Sequence, residues 1–215
     1  MEFDSPVLEA AVTELSRLPG VGRKTALRFA LHLLRQDENI AYSLGRSIVE
    51  LRRDVHYCPQ CYNITSGTGL CPVCADRTRD SRTILVVETV KDVLSFESTR
   101  QYSGVYHVLG GIISPMEGIS PDMLQIDALV RRIADLAADK DAASPPEVIL
   151  ALNATMEGET TAYYIYRALS AASPAAPVKI TQLSRGISVA GEIQYTDELT
   201  LARSLHNRTL FTLNT

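Results

Sequence analysis

Apolar positions in the first quarter of the chain recur at helical spacing. Ser5-Pro6 reads as a helix start, with Ser at the N-cap and Pro in the first helical position. Val7, Leu8, Ala11, Val12 and Leu15 then follow three and four residues apart. Leu18-Pro19-Gly20-Val21-Gly22 stops that helix. The pattern predicts a second helix from Arg23 to Arg35, burying Ala26, Leu27, Ala30, Leu31 and Leu34, and a third from Ile40 to Arg53. A stretch rich in turn formers, Cys58 to Cys74, comes next. After Arg82 the pattern changes. Thr83–Val87, Val105–Leu109, Glu147–Leu152 and Val178–Thr181 are short, continuously apolar runs and read as buried strands. Between them lie helical patterns at Lys91–Ser98, at Ile126–Leu136 with Asp122 as the expected cap, and at Glu159–Ser170. Asp197–Leu205 reads as a last helix, and Asp139–Pro146 as a polar loop. Buried strands alternating with amphipathic helices predict a small parallel α/β sheet covered on both faces.

Composition narrows the class. The 215 residues, 46% hydrophobic and 21% charged, suffice for one core domain and one or two small modules. No apolar run approaches the roughly 20 residues of a membrane helix. The first residues show no basic stretch followed by an apolar one, so a soluble, cytoplasmic protein is expected. A net charge of −4 excludes a coat that is basic everywhere. The charge is nevertheless uneven. Arg17 to Gln36 holds five basic residues (Arg17, Arg23, Lys24, Arg28 and Arg35) and no acid. Screening confines such a field to about 8–10 Å, so a local patch attracts phosphates even on an acidic protein. A solvated helix face is the plainer reading of the same residues.

Cys58-Pro-Gln-Cys61 and Cys71-Pro-Val-Cys74 use every cysteine in the chain. Each pair forms a tight knuckle that aims two thiolates at one ion, and two knuckles close a tetrahedral zinc site. With no open position for water, that zinc is expected to be structural. Two disulfides or four reduced thiols are the alternatives, the first at odds with a reducing compartment. His56 lies close in sequence, but four thiolates already fill a zinc site.

Helix, Leu-Pro-Gly-Val-Gly, helix is a helix–hairpin–helix pattern. Its glycines permit a tight turn and close approach of another molecule, and the second helix presents free N–H groups and its positive dipole end beside the turn. Lys24 and Arg28 are one turn apart, and Arg35 falls near the same stripe; Arg23, Lys24 and Arg28 are the expected DNA contacts, holding phosphates without reading bases. A plain connector packed in the core is the alternative.

In open α/β sheets, function gathers at the carboxyl ends of the strands. Glu88 follows the first strand, and Asn153 and Thr155 follow the third, with Glu157-Gly158-Glu159 just beyond. This layout resembles a Toprim domain, the Mg²⁺ module of topoisomerases and primases, which carries a Glu after the first strand and Asp-x-Asp after a later one. Here Asn153-Ala-Thr155 replaces Asp-x-Asp. Mg²⁺ needs carboxylate charge for phosphoryl chemistry, so no catalytic residue is expected. No Walker A loop, GxGxxG or nucleophile motif supplies another chemistry.

Taken together, residues 15–34, 58–74, 83–93, 110–124, 156–165 and 180–205 resemble the RecR family of bacterial recombination mediators. The resemblance implies a multi-module α+β chain: a helix–hairpin–helix region (1–55), a four-cysteine zinc module (56–80), a parallel α/β Toprim domain (81–180) and a C-terminal oligomerisation segment (181–215). It implies a non-enzymatic DNA clamp, a homotetramer or homodimer, acting with RecO and RecF to load RecA on single-stranded DNA at gaps and breaks. The DNA would be bound without sequence specificity. It further implies partner contacts on the Toprim surface, for which Glu88, Glu157 and Glu159 are the candidates. Arg23 fills a slot that varies in the family, and Val86-Val87-Glu88-Thr89-Val90 lacks the double Glu and Pro often found there. A Mg²⁺-dependent Toprim nuclease or primase-like enzyme, and a zinc-stapled adaptor binding only proteins, are the competing readings.

Overall fold

The structure, a computed structural model, describes residues 4–139, 142, 144–172, 177–184, 186 and 193–206. The chain forms two compact units, residues 1–56 and 57–215.

The first unit holds α1 (Pro6–Ser16), α2 (Arg23–Leu33) and α3 (Glu38–Asp54). The Ser5 side chain caps α1, and Asp37 caps α3 by accepting from the Asn39 N–H. Val12, Ala26 and Ala30 form a small core with Leu8, Leu15, Val21 and Leu27 around it. Small residues on α2 let it lie close against α1. Leu31 and Leu34, expected inside, are exposed: Leu31 lines the groove of Lys24 and Arg28, and Leu34 lies past the last turn of α2, beyond what α1 covers. No residue of α3 is buried.

The second unit begins within β1 (Val55–Tyr57), which pairs with β2 (Ile64–Ser66); the short helix α4 (Pro72–Ala75) follows. The main sheet comprises β3 (Asp80–Val87), β4 (Gly104–Val108), β5 (Glu147–Leu150) and β6 (Lys179–Gln182), all parallel, in the order β4-β3-β5-β6. The helices α5 (Val90–Thr99), α6 (Ile126–Ala138) and α7 (Met156–Ala172) link the strands, and α8 (Glu198–His206) follows. Helices on both faces explain why the strands are apolar without alternation. On one face Ile84, Val86, Val105 and Val148 pack with Ile126, Leu129 and Ile133 of α6 and Ile165 and Leu169 of α7. On the other, Leu85, Val87, Tyr106 and Val108 meet Val93 of α5, with Tyr62 and Val73 from the cysteine-bearing stretch. One helix does not cover that face, and the knuckles supply the remainder.

The knuckles also guard an edge. Leu109 donates to Val87 across the ladder, so the N–H of Val108 points outward from edge strand β4, where it donates to the Cys61 carbonyl at 2.8 Å. A covered edge presents no free pairing groups at that point. Asp122 does not cap α6. It sits in a 3₁₀ turn, Pro121–Met123, and Gln125 occupies the N-cap. Burial of Leu124 and the bond from the Gln125 N–H to the Leu109 carbonyl fix the later start. Of the loop expected at 139–146, residues 140, 141 and 143 lie outside the described residues, as does most of 185–192. No helix among the described residues is long and apolar enough to cross a membrane.

Arg79 joins the knuckles to the sheet. Its guanidinium grips Glu97 of α5 with two bonds of 2.9 and 2.7 Å and donates to the Gly104 carbonyl, while the Tyr106 hydroxyl donates to the same carboxylate. The bond from Arg79 holds Glu97 below the usual carboxylate range. The folded state therefore binds this proton more weakly than the unfolded chain, and the resulting stability is lost as pH falls through the carboxylate range. Glu97→Gln is expected to cost about 1–2 kcal/mol at neutral pH, allowing for partial exposure. The gap from wild type should narrow below the unfolded carboxyl value of about 4.3. Urea unfolding between pH 7 and pH 3 checks this; a gap that does not change with pH would refute it.

Candidate nucleic-acid interface and metal centre

The four cysteine sulfurs lie within 4.8 Å of one another, and Cys61 and Cys71 are 3.5 Å apart. Zn–S bonds of about 2.3 Å give tetrahedral S–S edges of about 3.8 Å, so Cys58, Cys61, Cys71 and Cys74 already stand near the required vertices. None forms a disulfide. The local sequence turns amides onto the sulfurs: the Cys71 N–H donates to Cys58 Sγ at 3.4 Å and the Cys74 N–H to Cys71 Sγ at 3.5 Å. Tyr62 closes the first knuckle in the left-handed region at φ 62°, its N–H on the Cys58 carbonyl. Hydrogen bonds from Cys61 and Cys74 pull the Cys71 thiol down, while the bond with Cys71 pushes Cys61 up. Binding of a divalent ion would displace the protons of all four thiols. Three of the four side chains are fully buried, so the donor set is closed and fits structural zinc.

In the first unit, Gly20 takes φ +78°, which favours glycine, and the Val21 N–H donates to the Leu18 carbonyl at 3.0 Å to close the hairpin. Gly22 is different. Its φ is −74°, and a Cβ there would meet nothing within 4 Å. The fold does not demand glycine at 22. What glycine does there is leave the first amides of α2 without a side-chain cap. Of the five basic residues, Arg17 pairs with Glu14, and Arg23 places Nη2 2.6 and 2.7 Å from the two oxygens of Glu9, tying α2 to α1. Lys24, Arg28 and Arg35 line one groove of about 540 Å³ with Leu27, Leu31 and His32. Among the described residues no acid pairs with these three cations. The structure thus brings Lys24, Arg28 and Arg35 together along one groove and turns Arg23 toward Glu9.

The order β4-β3-β5-β6 places the topological switch point between β3 and β5, where α/β sheets open a crevice for ligands. Glu88 and Asn153 stand at that point. The Asn153 N–H donates to Glu88 Oε1 at 2.7 Å and its amide Nδ2 to Oε2 at 2.8 Å. The residue thus occupies both oxygens with hydrogen atoms where a second carboxylate would have left them to a cation. Glu88 is buried, so of the three acids expected on a partner surface it alone faces inward. Glu159 is exposed and Glu157 half-buried in the first turn of α7, where the helix dipole favours negative charge. The helix begins earlier than expected because the Thr155 hydroxyl accepts from the Gly158 N–H at 3.1 Å. A Cβ at Gly158 would collide with the Asn153 carbonyl. Glycine here lets α7 start against the switch point. The Glu88–Asn153 pairing was not legible in the sequence, although the replacement of Asp-x-Asp was its signal.

Cys58→Ser is expected to drop bound zinc from one ion per chain to near zero, together with loss of the cooperative melt of residues 57–215. Metal analysis after gel filtration checks this, and a folded, zinc-replete variant would refute it. Asn153→Asp removes a donor and faces one carboxylate with another, at an expected cost of about 1–3 kcal/mol. Millimolar Mg²⁺ should restore its melting temperature and leave wild type unmoved. Wild type stabilised as strongly as the variant would show that the amide does not exclude the cation.

Family models match the chain in the same order as these features. "RecR, helix-hairpin-helix" matches residues 8–52, and the RecR model for a zinc finger domain with four cysteines matches residues 55–76. "Toprim domain" matches 82–184 and "RecR, C-terminal" 186–209. The chain is 51% identical over 211 residues to the recombination protein RecR of Bacteroides fragilis, covering 98% of this chain and 97% of that relative. It is 51% identical to the RecR of Bacteroides thetaiotaomicron over the same length and shares. With the RecR of Cytophaga hutchinsonii it shares 46% identity, over 98% of each chain. The four-thiolate cluster is accordingly a structural zinc centre. Hairpin, zinc knuckles, parallel sheet and near-full-length identity converge: the chain belongs to the RecR family of recombination proteins.

Proposed function

We propose that the chain is a non-enzymatic DNA clamp and adaptor in recombinational repair, acting in the cytoplasm. The observation that supports this best is the stripe of Lys24, Arg28 and Arg35 behind the uncapped start of α2, with no described acid paired to it. Along the helix, Lys24 and Arg28 are separated by about 6 Å, one turn, and Arg35 extends their groove just past the end of α2. Such a row holds successive phosphates and reads no base. Arg23 adds charge at the rim while its fork rests on Glu9. One hairpin makes only a few phosphate contacts. Several copies around one DNA multiply them, and a homotetramer or homodimer provides the copies. The unburied α3, with Ile40, Ile48, Val49 and Leu51 exposed, offers apolar area for that association. The C-terminal segment, much of it outside the described residues, is assigned to the same assembly on resemblance alone.

The switch point argues against strand cleavage. Glu88 is hydrogen-bonded to an amide, and the second and third carboxylates of a Mg²⁺ site are Asn153 and Thr155. The adaptor role then falls to exposed surfaces. The Toprim surface around Glu157 and Glu159 is proposed to meet RecO, with RecF as a further partner, so that RecA is loaded on single-stranded DNA at gaps.

Fluorescence anisotropy with labelled gapped DNA in Mg²⁺ tests this reading, comparing wild type with Lys24→Glu/Arg28→Glu and checking the strands on a denaturing gel. Wild type should bind with a steep salt dependence. The double variant should bind at least about tenfold more weakly, with a slope of log K against log salt reduced by about two for each hairpin in contact. All strands should stay intact. Cut strands would restore the Toprim enzyme; equal binding by both proteins would move the contact away from α2.

A further inference from the structure

Arg132 is a charged side chain in an unusual place. It lies on α6, largely buried, and among the described residues no acid pairs with it. Its Nη1 donates to the Tyr106 carbonyl at 2.8 Å, while Nε and Nη2 are buried with no hydrogen-bond partner. An isolated guanidinium in a protein interior is costly unless something anionic answers it.

The sheet shows what stands beside it. Tyr106 and Val108 are successive outward-facing residues of edge strand β4, about 6.6 Å apart along the strand. The outward carbonyl of Tyr106 takes Arg132, and the outward N–H of Val108 takes the Cys61 carbonyl. The guanidinium and the first zinc knuckle are therefore neighbours on one edge. A cavity of about 650 Å³ is lined jointly by Pro59 and Gln60 of that knuckle and by Arg131, Arg132 and Asp135 of α6. Four thiolates around Zn²⁺ leave a doubly negative centre, most of it out of water. Among the described residues, no carboxylate pairs with Arg132, and the nearest concentration of negative charge on that edge is the zinc-binding thiolate set of Cys58, Cys61, Cys71 and Cys74.

We propose that Arg132 is the counter-charge of the zinc centre, its Nε and Nη2 donors directed into the field of the zinc thiolates, so that α6 and the knuckles are held together through the metal. Burial lowers the pKa of Arg132, and the thiols of Cys74, Cys61 and Cys58 act in the opposite sense. The group stays charged in either case. Arg132 is thus a positioning residue for the metal, one shell beyond its ligands, where such partners typically change metal affinity by about 10–100-fold.

The test uses the full-length, zinc-loaded protein and its Arg132→Met, Arg132→Gln and Arg132→Lys variants. Zinc transfer to a chromophoric chelator is timed, and the sulfur-to-metal charge-transfer band is recorded on the Co²⁺-substituted proteins. R132M and R132Q should release zinc at least about tenfold faster than wild type, and R132K within about threefold. The Co²⁺ band should move to lower energy in R132M and R132Q, because removing a nearby cation raises the sulfur electrons. A merely structural arginine would lower the melting temperature and leave both readouts unmoved, and that result overturns the proposal. R132K as labile as R132Q also overturns it, since charge would then play no part. If R132M fails to fold, R132Q, which keeps an N–H for the Tyr106 carbonyl, decides alone.

Discussion

A four-stranded parallel sheet has two faces to cover and two edges to protect, and among the described residues α5 covers one of those faces only in part. The four-thiolate zinc centre meets that constraint. It fixes two knuckles from which Tyr62 and Val73 complete the face that α5 only partly covers, and from which the Cys61 carbonyl reaches the outward N–H of Val108. Structural zinc commonly contributes free energy of folding outright. Its effect here extends beyond the cysteine stretch, because the apolar side chains that it positions belong to the sheet's own core. The Arg79–Glu97–Tyr106 bonds fasten the same junction from the other side of the chain, joining the exit of the zinc knuckles to α5 and β4.

At the carboxyl ends of the strands, one chemical change alters what the fold can do. A Toprim layout brings acids there so that a divalent cation holds them together. Here Asn153 supplies two N–H donors and Glu88 two acceptors, so the switch point is closed by neutral-to-anionic hydrogen bonds. The scaffold keeps its shape and the cation loses its ligands. Gly158 belongs to the same arrangement, since α7 can begin this close to Asn153 only without a side chain there. On the proposed adaptor reading, the sheet serves to present surfaces rather than to hold a catalytic cation.

Much of this was legible in the residues. Spacing alone placed the helices, the four parallel strands and the zinc ligands, because buried runs, caps and knuckles are local patterns. The errors share a physical cause. Asp122 is a good cap by composition, yet burial of Leu124 and the Gln125–Leu109 bond move the start of α6 past it. Leu31 and Leu34 sit at helical spacing, yet α1 is too small a partner to cover them. Glu88 was legible as a Toprim acid, but its pairing with Asn153, 65 residues away in sequence, depends on the sheet order. The same holds for Arg132, one arginine among many until β4 and the knuckles meet around it.

Charge placement resolves an apparent conflict between composition and DNA binding. The chain as a whole is acidic, with a net charge of −4, and a uniform distribution of that charge would repel nucleic acid. Two acids of the first unit are paired away from the stripe. Glu14 and Glu9 are taken up by Arg17 and Arg23, on the α1 side of the hairpin, while Lys24, Arg28 and Arg35 share a groove with no described acid paired to them. At physiological ionic strength exposed charges are screened beyond about 8 Å, so a phosphate near the start of α2 meets Lys24 and Arg28 more strongly than the distant acids of the rest of the chain. On the proposed reading the contact is local and salt-dependent, and a clamp of several copies would hold DNA by presenting several such hairpins at once.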